Sequence, residues 1–349
     1  MRKDQKNIDF IQECHIIIVT VVLAPLYNVA QSTLFNYKET DKVNAKRELK
    51  KALSFKDQLS HLIDDKKLIV NNKENALTIL KHENYYRLSG YMIDFLDEQD
   101  HFHQDVTFES IYNIYKAEKE IRSTLFELVN DIEVYLKTQI ANYFSLKYGA
   151  IGYLNPLNYK HEYGKDYSDV IHLLKKFDEI ILRNSNNLIV KHHNNEYNGF
   201  MPLWAMVELM SFGMISKFFS AMKTSDKKAV CRTGYKDITY DKLESFYHSI
   251  AYLRNQCCHY QRFYRIKHPI KPKAYSTSNI DLGEVKINST YSLVLALLFV
   301  NPNTKLGERA IGKLKSIEYK AHIDFINNYG FNNNWQDRLY EVNGHCIKN

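Results

Sequence analysis

Apolar residues recur at helical spacing along most of this 349-residue chain. The clearest run lies between Tyr115 and Tyr148, where apolar side chains follow one another at steps of three or four residues for about six turns of helix. Gly149 supplies a natural end to such a helix. We therefore predict a long helix whose core-facing positions are Ile121, Leu125, Leu128, Ile132, Leu136, Ile140 and Tyr143.

Shorter amphipathic runs predict further helices before and after this one. They span about residues 53–63, 76–80, 168–181, 203–222, 288–300 and 305–326. The sequence 211–213 is a weak point within the 203–222 helix, and Asp241 with Glu244 resembles a capping box that opens another helix. Two polar segments, 151–167 and 184–199, predict loops.

The scarcity of strand-like patterns also indicates the fold class. Few segments alternate as strands do, strands and helices do not alternate along the chain, and no internal repeat is detectable. With 45% hydrophobic residues, 12 Gly and 6 Pro, the composition excludes a disordered or collagen-like chain. We predict a mainly α protein, a helical bundle with few or no strands.

The first 48 residues differ from the rest of the chain. Residues 36–51 are polar and charged, so we place a domain boundary near residue 48, between an N-terminal extension at 1–48 and a helical domain at 49–345. The apolar run at 16–24 is much shorter than the roughly 20 residues that span a bilayer. Acidic residues interrupt the cationic start that a signal peptide needs. We expect a cytoplasmic protein that does not bind a membrane.

Sequence signals of cofactor and metal sites are missing. The chain has no glycine-rich phosphate loop and no nucleophile elbow, which are the usual motifs of nucleotide hydrolysis, dinucleotide redox chemistry and serine hydrolysis. Its 5 cysteines are scattered and form no C-x-x-C pair, which favours a reducing compartment. The histidine pairs at 101/103 and 192/193 lack partners at metal-ligand spacing, so we expect no cofactor and no metal.

Residues 241–265 contain the strongest candidates for catalytic residues. Drawn as one helix, this segment has a polar arc that contains Arg254, Asn255, His259 and Arg262, with His259 almost opposite the apolar side. The predicted apolar stripe consists of Leu243, Phe246, Ile250, Leu253, Cys257 and Tyr260.

The polar arc suits a phosphodiester. A histidine side chain can move a proton to or from a ribose hydroxyl or a leaving oxygen, and a guanidinium can hold phosphoryl oxygens. Arg254 and His259 are about 140° apart on a helix, so they bracket a groove rather than touch. Arginine and histidine on a helix face are often only solvated, so spacing alone leaves catalysis open.

The excess positive charge of the chain is local. The formal net charge is +7, and six basic residues lie between Glu244 and Asp281, a span without any acidic residue. Aromatic residues are interleaved with them, which is typical of an RNA-binding surface. We expect contacts with RNA from Arg262, Arg265, Lys267, Lys271, Lys273 and Tyr260.

Residues 254–259 resemble the R-x4-6-H motif of HEPN-fold ribonucleases, which has a polar residue after the arginine. The chain as a whole resembles the AbiD/AbiF-like abortive-infection family of bacterial phage-defence proteins. This resemblance covers roughly 49–340 and is carried by residues 84–91, 131–133, 147–149, 202–208, 211–213 and 253–262.

The resemblance implies an all-α HEPN core, often paired as a homodimer in which two motifs form a composite site. It also implies metal-independent RNA cleavage, in which the ribose 2′-hydroxyl attacks the neighbouring phosphate. Arg254 would bind that phosphate, Asn255 would orient the phosphate or the histidine, and His259 would be the general acid and base. The first 48 residues lie outside the family pattern.

Two other functions remain open. The basic segment could hold a structured non-coding RNA without cleaving it, or the chain could be a protein-interaction scaffold. RNA binding that is steeply salt-dependent and shows no turnover would favour the RNA-binding module. Absence of any co-purifying nucleic acid would favour the scaffold.

Two further groups of residues are expected to be structural. We interpret residues 84–91 as a packing segment in which Arg87 pairs with a carboxylate such as Glu133 or Glu208. Core positions are expected for Trp204 and for Met201, Met206, Met210 and Met214.

Overall fold

The computed structural model describes residues 51–161, 168–274 and 284–348. Within these ranges the chain has fourteen α-helices, a few isolated β-bridges and no β-strand, which confirms the mainly α fold. Residues Phe55–Asn349 form one compact unit. The predicted extension at 1–48, with its apolar run, lies outside the described residues, and the boundary near residue 48 stays a prediction.

The helices are numbered here in chain order. They are α1 (Phe55–Ser60), α2 (Lys73–His82), α3 (Tyr85–Met92), α4 (Phe108–Tyr148), α5 (Ser168–Arg183), α6 (Leu188–Glu196), α7 (Leu203–Leu209), α8 (Phe212–Ala221), α9 (Thr224–Gly234), α10 (Tyr240–Cys258), α11 (Thr290–Phe299), α12 (Thr304–Ala321), α13 (Phe325–Tyr329) and α14 (Trp335–Val342). A π-helical turn, His61–Asp65, extends α1. Short 3-10 turns occur at Ile93–Phe95, Gly152–Leu154 and Pro156–Asn158.

The long helix α4 is the centre of the fold. Its 41 residues extend for about 60 Å. It begins before the predicted start at Tyr115, because the Thr107 and Ser110 hydroxyls each accept a hydrogen bond from the other's backbone N–H and form a capping box. It ends at Gly149, whose φ of 84° lies in the left-handed region. The predicted core-facing positions are buried, except for the half-buried Tyr143.

Helix α10 is a second helix around which others pack. It packs against α4, α8, α9 and α11, and α11 is buried along its whole length. Helix α3 packs against α4 as well. Residues Tyr86, Arg87 and Tyr91 line one cleft with His259, so α3 lies near the C-terminal end of α10. In the described part of the chain, no helix combines the length and the apolar character that crossing a membrane requires.

The single helix predicted at 203–222 is in fact two helices. Met210 is extended, with ψ of 140°, and the Ser211 hydroxyl accepts a hydrogen bond from Met214 N at 3.3 Å at the start of α8. The weak point in the sequence is therefore a complete break between α7 and α8.

The loop predicted at 184–199 is wrong, because residues Leu188–Glu196 form α6. Val190 and His193 are the buried residues of this helix. Two buried positions give too little apolar periodicity to distinguish a short helix from a polar loop. Asn187 starts the helix by accepting a hydrogen bond from Ile189 N at 2.8 Å.

The capping box predicted at Asp241 and Glu244 is also wrong. Helix α10 begins at Tyr240, after Thr239. Glu244 instead accepts hydrogen bonds from Lys227 Nζ and Ser220 Oγ, both at 2.7 Å. The carboxylate therefore joins α10 to α8 and α9 rather than capping its own helix.

Candidate functional site

The predicted motif lies at the C-terminal end of α10. The apolar side of this helix is buried as predicted at Leu243, Phe246, Ile250, Leu253 and Cys257. The helix ends at Cys258, so His259 is the first residue beyond it. Tyr260 is 53% exposed, and the prediction that it continues the apolar stripe is wrong.

The chain leaves the helix axis directly after His259. Gln261 N donates to Gln256 O at 2.9 Å and Tyr260 N donates to Cys257 O at 3.3 Å, which is the hydrogen-bond pattern of a Schellman motif. Tyr260 occupies the left-handed position of this motif, with φ of 53°, where glycine is the usual residue. Because the helix stops here, Arg262 does not belong to the helical arc that the sequence predicted.

A buried ion pair on α4 anchors the turn that follows His259. The Glu118 carboxylate accepts hydrogen bonds from Phe263 N, at 3.0 Å, and from Tyr264 N. Arg122 Nη1 donates to Glu118 at 2.9 Å and to Gln261 O at 3.1 Å. One turn of α4 therefore fixes the backbone of residues 261–264.

Tyr91 of α3 completes this cluster, which we call the Glu118 clamp (Tyr91, Glu118 and Arg122). Its hydroxyl donates to Glu118 Oε2, and Arg122 and Glu118 are 3% and 0% exposed. Burial raises the pKa of Glu118, while the donors from Tyr91, Arg122 and the two backbone amides act in the opposite direction. The clamp joins α3, α4 and the turn after α10.

Sequence reasoning missed the clamp, although a signal was present. Glu118 and Arg122 are four residues apart and fall on the same face of α4 as Tyr115 and Leu125, which are buried. Charged residues on a core-facing stripe need a buried partner. Their spacing could therefore have identified an internal ion pair, but not the turn that it holds.

The three predicted catalytic residues do not share either of the two clefts that the described residues form around the motif. His259 lines a cleft of about 570 Å³, which we call the His259 cleft, together with Arg87, Tyr260 and Arg262. Asn255 lines a separate cleft of about 760 Å³. Arg254 is half-buried, lines neither cleft, and has no described carboxylate within ion-pair distance.

The position of Arg87 differs from the sequence-based prediction. Its side chain is exposed, and the guanidinium carbon lies 5.2 Å from the centroid of the Tyr260 ring. Glu133, one of the two carboxylates expected to pair with it, pairs instead with Lys137 at 2.9 Å. The structure therefore places Arg87 in the cleft of His259 rather than in an internal ion pair.

The basic segment after α10 is partly neutralised by acids from elsewhere in the chain. Arg262 pairs with Asp94 at 3.2 Å, and Lys273 pairs with Asp241 at 3.0 Å. These two pairs reduce the local excess of charge that the acid-free sequence predicted. The other predicted RNA contacts lie apart: Arg265 donates to Asn328 Oδ1 on α13 at 2.9 Å, while Lys267 and Lys271 are exposed.

The family described as Abi-like protein matches residues 78–265. This range is more than half of the 349 residues. The chain belongs to the Abi-like protein family. Membership of this abortive-infection family supports a role in phage defence. No curated protein and no solved structure matches the chain.

The range that matches the Abi-like family includes the residues on both sides of the His259 cleft. Residues 84–91 lie near its start, and Arg254, Asn255 and His259 lie near its end. Lys267, Lys271 and Lys273 fall beyond it. The matched range is shorter than the 49–340 over which the sequence shows its resemblance to the family.

His268 does not add to the positive charge of the basic segment. It is 2% exposed and lies between two hydroxyls, with Nε2 3.0 Å from Thr290 Oγ1 and Nδ1 3.2 Å from the Tyr252 hydroxyl. Burial lowers the pKa of His268 to about 4, so the ring is neutral at physiological pH.

This buried histidine should make the Abi-like protein less stable in mild acid. The folded-state pKa of about 4 lies below the ordinary value of 6.5, so the folded protein binds this proton less readily than the unfolded chain. Lowering the pH from about 6.5 to 4 should therefore remove up to about 3 kcal/mol of unfolding free energy. We expect a flatter pH dependence in His268→Gln, measured by urea unfolding. Identical pH dependence in both proteins would refute this assignment.

Trp204 corrects another prediction. Met201, Met206, Met210 and Met214 are buried as expected, but Trp204 is exposed. It lines an apolar groove of about 850 Å³ with residues of α6 and α7. Leu203, Met206 and Val207 occupy the buried side of α7, so the indole faces outward.

Within the described ranges, no three histidine, cysteine or carboxylate side chains are arranged to hold a metal ion. The described cysteines Cys231, Cys257 and Cys258 are free thiols. Burial raises the pKa of Cys257 to about 12, so this thiol beside the motif is unreactive at neutral pH.

Proposed function

We propose that this Abi-like protein is a metal-independent endoribonuclease of the HEPN type that acts in the cytoplasm as a homodimer. The position of His259 is the observation that supports this function best. The imidazole is exposed at the C-terminal end of α10, has no hydrogen-bond partner among the described residues, and shares its cleft with two arginines. A free imidazole beside guanidinium groups has the chemistry that RNA cleavage requires.

In the proposed reaction, the ribose 2′-oxygen attacks the adjacent phosphorus. The bond from O2′ to phosphorus forms while the bond from phosphorus to O5′ breaks. His259 accepts the proton of the 2′-hydroxyl and returns a proton to the leaving 5′-oxygen, and Arg254 neutralises the charge on the phosphoryl oxygens. Asn255 orients the phosphate or the imidazole. The products end in a 2′,3′-cyclic phosphate and a 5′-hydroxyl.

The separation of the three residues supports a site formed by two copies of the chain. Asn255 and His259 open onto different clefts, and Arg254 lines neither of them. A second α10 facing the first would bring the arginine of one copy near the histidine of the other. The homodimer is therefore part of the proposal, and light scattering of the purified protein measures its mass.

Cleavage without metal is the direct test of this function. Purified protein should cut end-labelled single-stranded RNA in the presence of EDTA and leave 2′,3′-cyclic phosphate ends. RNA with 2′-O-methyl groups throughout should remain intact, because its 2′-oxygens cannot attack. Absence of cleavage in EDTA, or cleavage of the methylated RNA, would contradict the proposed chemistry.

The exposed Lys267 and Lys271 also favour a second function, a non-catalytic module that binds a structured non-coding RNA. Sequencing the RNA that co-purifies with the wild-type chain and with His259→Ala separates the two functions. Longer RNA on His259→Ala than on the wild-type chain would support cleavage. The same RNA on both would favour the binding module, and no RNA on either would favour a protein-interaction scaffold.

A further inference from the structure

Among the side chains that line the His259 cleft and that the proposed reaction does not use are Arg87 and Tyr86. Both belong to α3, and both are exposed. The cleft volume of about 570 Å³ lies within the range of sites that bind small organic ligands. Helix α3 therefore forms a wall opposite the end of α10 and contributes its own polar and aromatic groups.

Arg87 is the cation of this cleft whose charge is not neutralised. No described carboxylate lies within ion-pair distance of it. Glu83, one helical turn earlier in the sequence, is occupied by Lys119 at 3.2 Å and by the Tyr115 hydroxyl at 2.5 Å. Arg262, on the other side of the cleft, pairs with Asp94. An anion that enters the cleft therefore meets the full charge of Arg87.

Two aromatic rings of the cleft, Tyr260 and Tyr86, differ in how many contacts they make with the protein. The Tyr260 ring lies 5.2 Å from the guanidinium carbon of Arg87 and 5.8 Å from that of Arg122, and the Glu118 clamp fixes the residues that directly follow it. Tyr86 is 86% exposed, so its ring is open to a ligand. Exposed aromatic rings beside a guanidinium are what proteins use to stack the bases of single-stranded RNA.

We propose that the His259 cleft binds one nucleotide of single-stranded RNA next to the cleaved bond. Arg87 holds the phosphate of this nucleotide, and Tyr86 stacks against its base. The position relative to the cleaved bond rests on the proposed ribonuclease function, whereas binding itself does not. Tyr260 keeps the guanidinium of Arg87 in place by stacking against it. Arg87 is thus a binding residue that positions RNA at His259.

Binding can be measured without cleavage by using an RNA of about 12 nucleotides that carries 2′-O-methyl groups and a fluorescent label. In anisotropy titrations, Arg87→Ala should raise the Kd about tenfold and reduce the slope of log Kd against log salt by about 0.7, the value for one phosphate contact with a single strand. Arg87→Lys keeps the charge and should give an intermediate Kd. Tyr86→Ala should raise the Kd about tenfold, and Tyr86→Phe, which keeps the ring, should not.

Arg232→Ala is the matched control. Arg232 is an exposed arginine near the C-terminal end of α9, where the Tyr135 hydroxyl of α4 donates to Gly234 O. Tyr135 lies about 20 Å along α4 from Arg122 and the clamp. Loss of this arginine changes the net charge equally but should change the Kd less than twofold. Unaltered urea midpoints will show that all variants are folded.

The outcomes separate the two proposals. If the wild-type chain cleaves RNA but Arg87→Ala binds the methylated RNA as Arg232→Ala does, the cleft assignment is overturned and the ribonuclease stands. If Arg87→Ala and Tyr86→Ala weaken binding but the wild-type chain does not cleave RNA, the cleft assignment stands and the ribonuclease fails. Absence of RNA binding by the wild-type chain would overturn both.

Discussion

Replacing His259 by alanine should abolish RNA cleavage and leave the fold intact. General acid–base catalysis contributes about 10²–10⁴-fold to a rate, so the cleavage rate should fall at least a hundredfold. The imidazole is exposed and has no hydrogen-bond partner in the described ranges, so its loss should not change the urea midpoint. Single-turnover cleavage in EDTA measures the rate, and urea unfolding measures the stability.

Arg254→Ala should give a comparable loss, because removal of one group that stabilises developing charge costs about 10²–10³-fold in rate. His172→Ala is the control, since His172 is an exposed histidine on α5 that belongs to neither cleft. It should cleave RNA at the wild-type rate. Full activity in both His259→Ala and Arg254→Ala would eliminate the proposed site.

Replacing Glu118 by alanine should destabilise the protein by about 3–5 kcal/mol, because it leaves Arg122 charged, buried and without its carboxylate. Nε and Nη2 of Arg122 already lack hydrogen-bond partners among the described residues, so the guanidinium has little to replace the lost bond. The turn at 261–264 also loses its anchor, and RNA cleavage should fall with it. Urea unfolding and the cleavage assay measure the two effects.

Glu127→Ala on the same helix is the matched control. Glu127 pairs with Lys313 at 3.1 Å, and the two side chains are 48% and 55% exposed. Exposed pairs of this kind contribute about 0–1 kcal/mol. Glu118→Gln, which keeps an oxygen acceptor but loses the charge, should fall between Glu118→Ala and the wild type. Equal stability of Glu118→Ala and Glu127→Ala would show that the clamp does not hold the turn.

Helix α4 could be predicted because its core side is long and continuous, so many residues carry the same signal. The start of the helix was missed because Thr107 and Ser110 make a short polar signal that lies before the apolar run. Helix α6 was missed because Val190 and His193 are its buried residues. Prediction succeeded where packing repeats along the chain and failed where a helix is defined by one cap and a few contacts.

The candidate site was predictable only in part. The motif on α10 is local, so its helix and the exposure of His259 followed from the sequence. The partners of the next turn are distant: Arg262 pairs with a residue 168 positions away, and Phe263 N bonds with one 145 positions away. Spacing along the chain carries no information about such contacts. The charge of the basic segment was overestimated for this reason.

Arg87 is a second case in which contacts between distant residues could not be predicted from the sequence. The sequence identified residues 84–91 as a structural segment, and Leu88 and Tyr91 are buried as that interpretation requires. The same short helix also exposes Tyr86 and Arg87, which line the cleft of His259, a residue more than 150 positions later in the chain. One helix therefore has a side that packs in the core and a side that lines a surface cleft, and only the packing side could be inferred from the sequence.

The Glu118 clamp holds the turn after His259 through main-chain amides and a main-chain carbonyl rather than through side chains. These bonds do not depend on which amino acid occupies positions 261, 263 and 264. Gln261 is exposed whereas Phe263 and Tyr264 are buried, so position 261 can vary without disturbing the core or the bond that its carbonyl accepts from Arg122. Proline is the exception at 263 and 264, because it has no N–H to donate to the carboxylate.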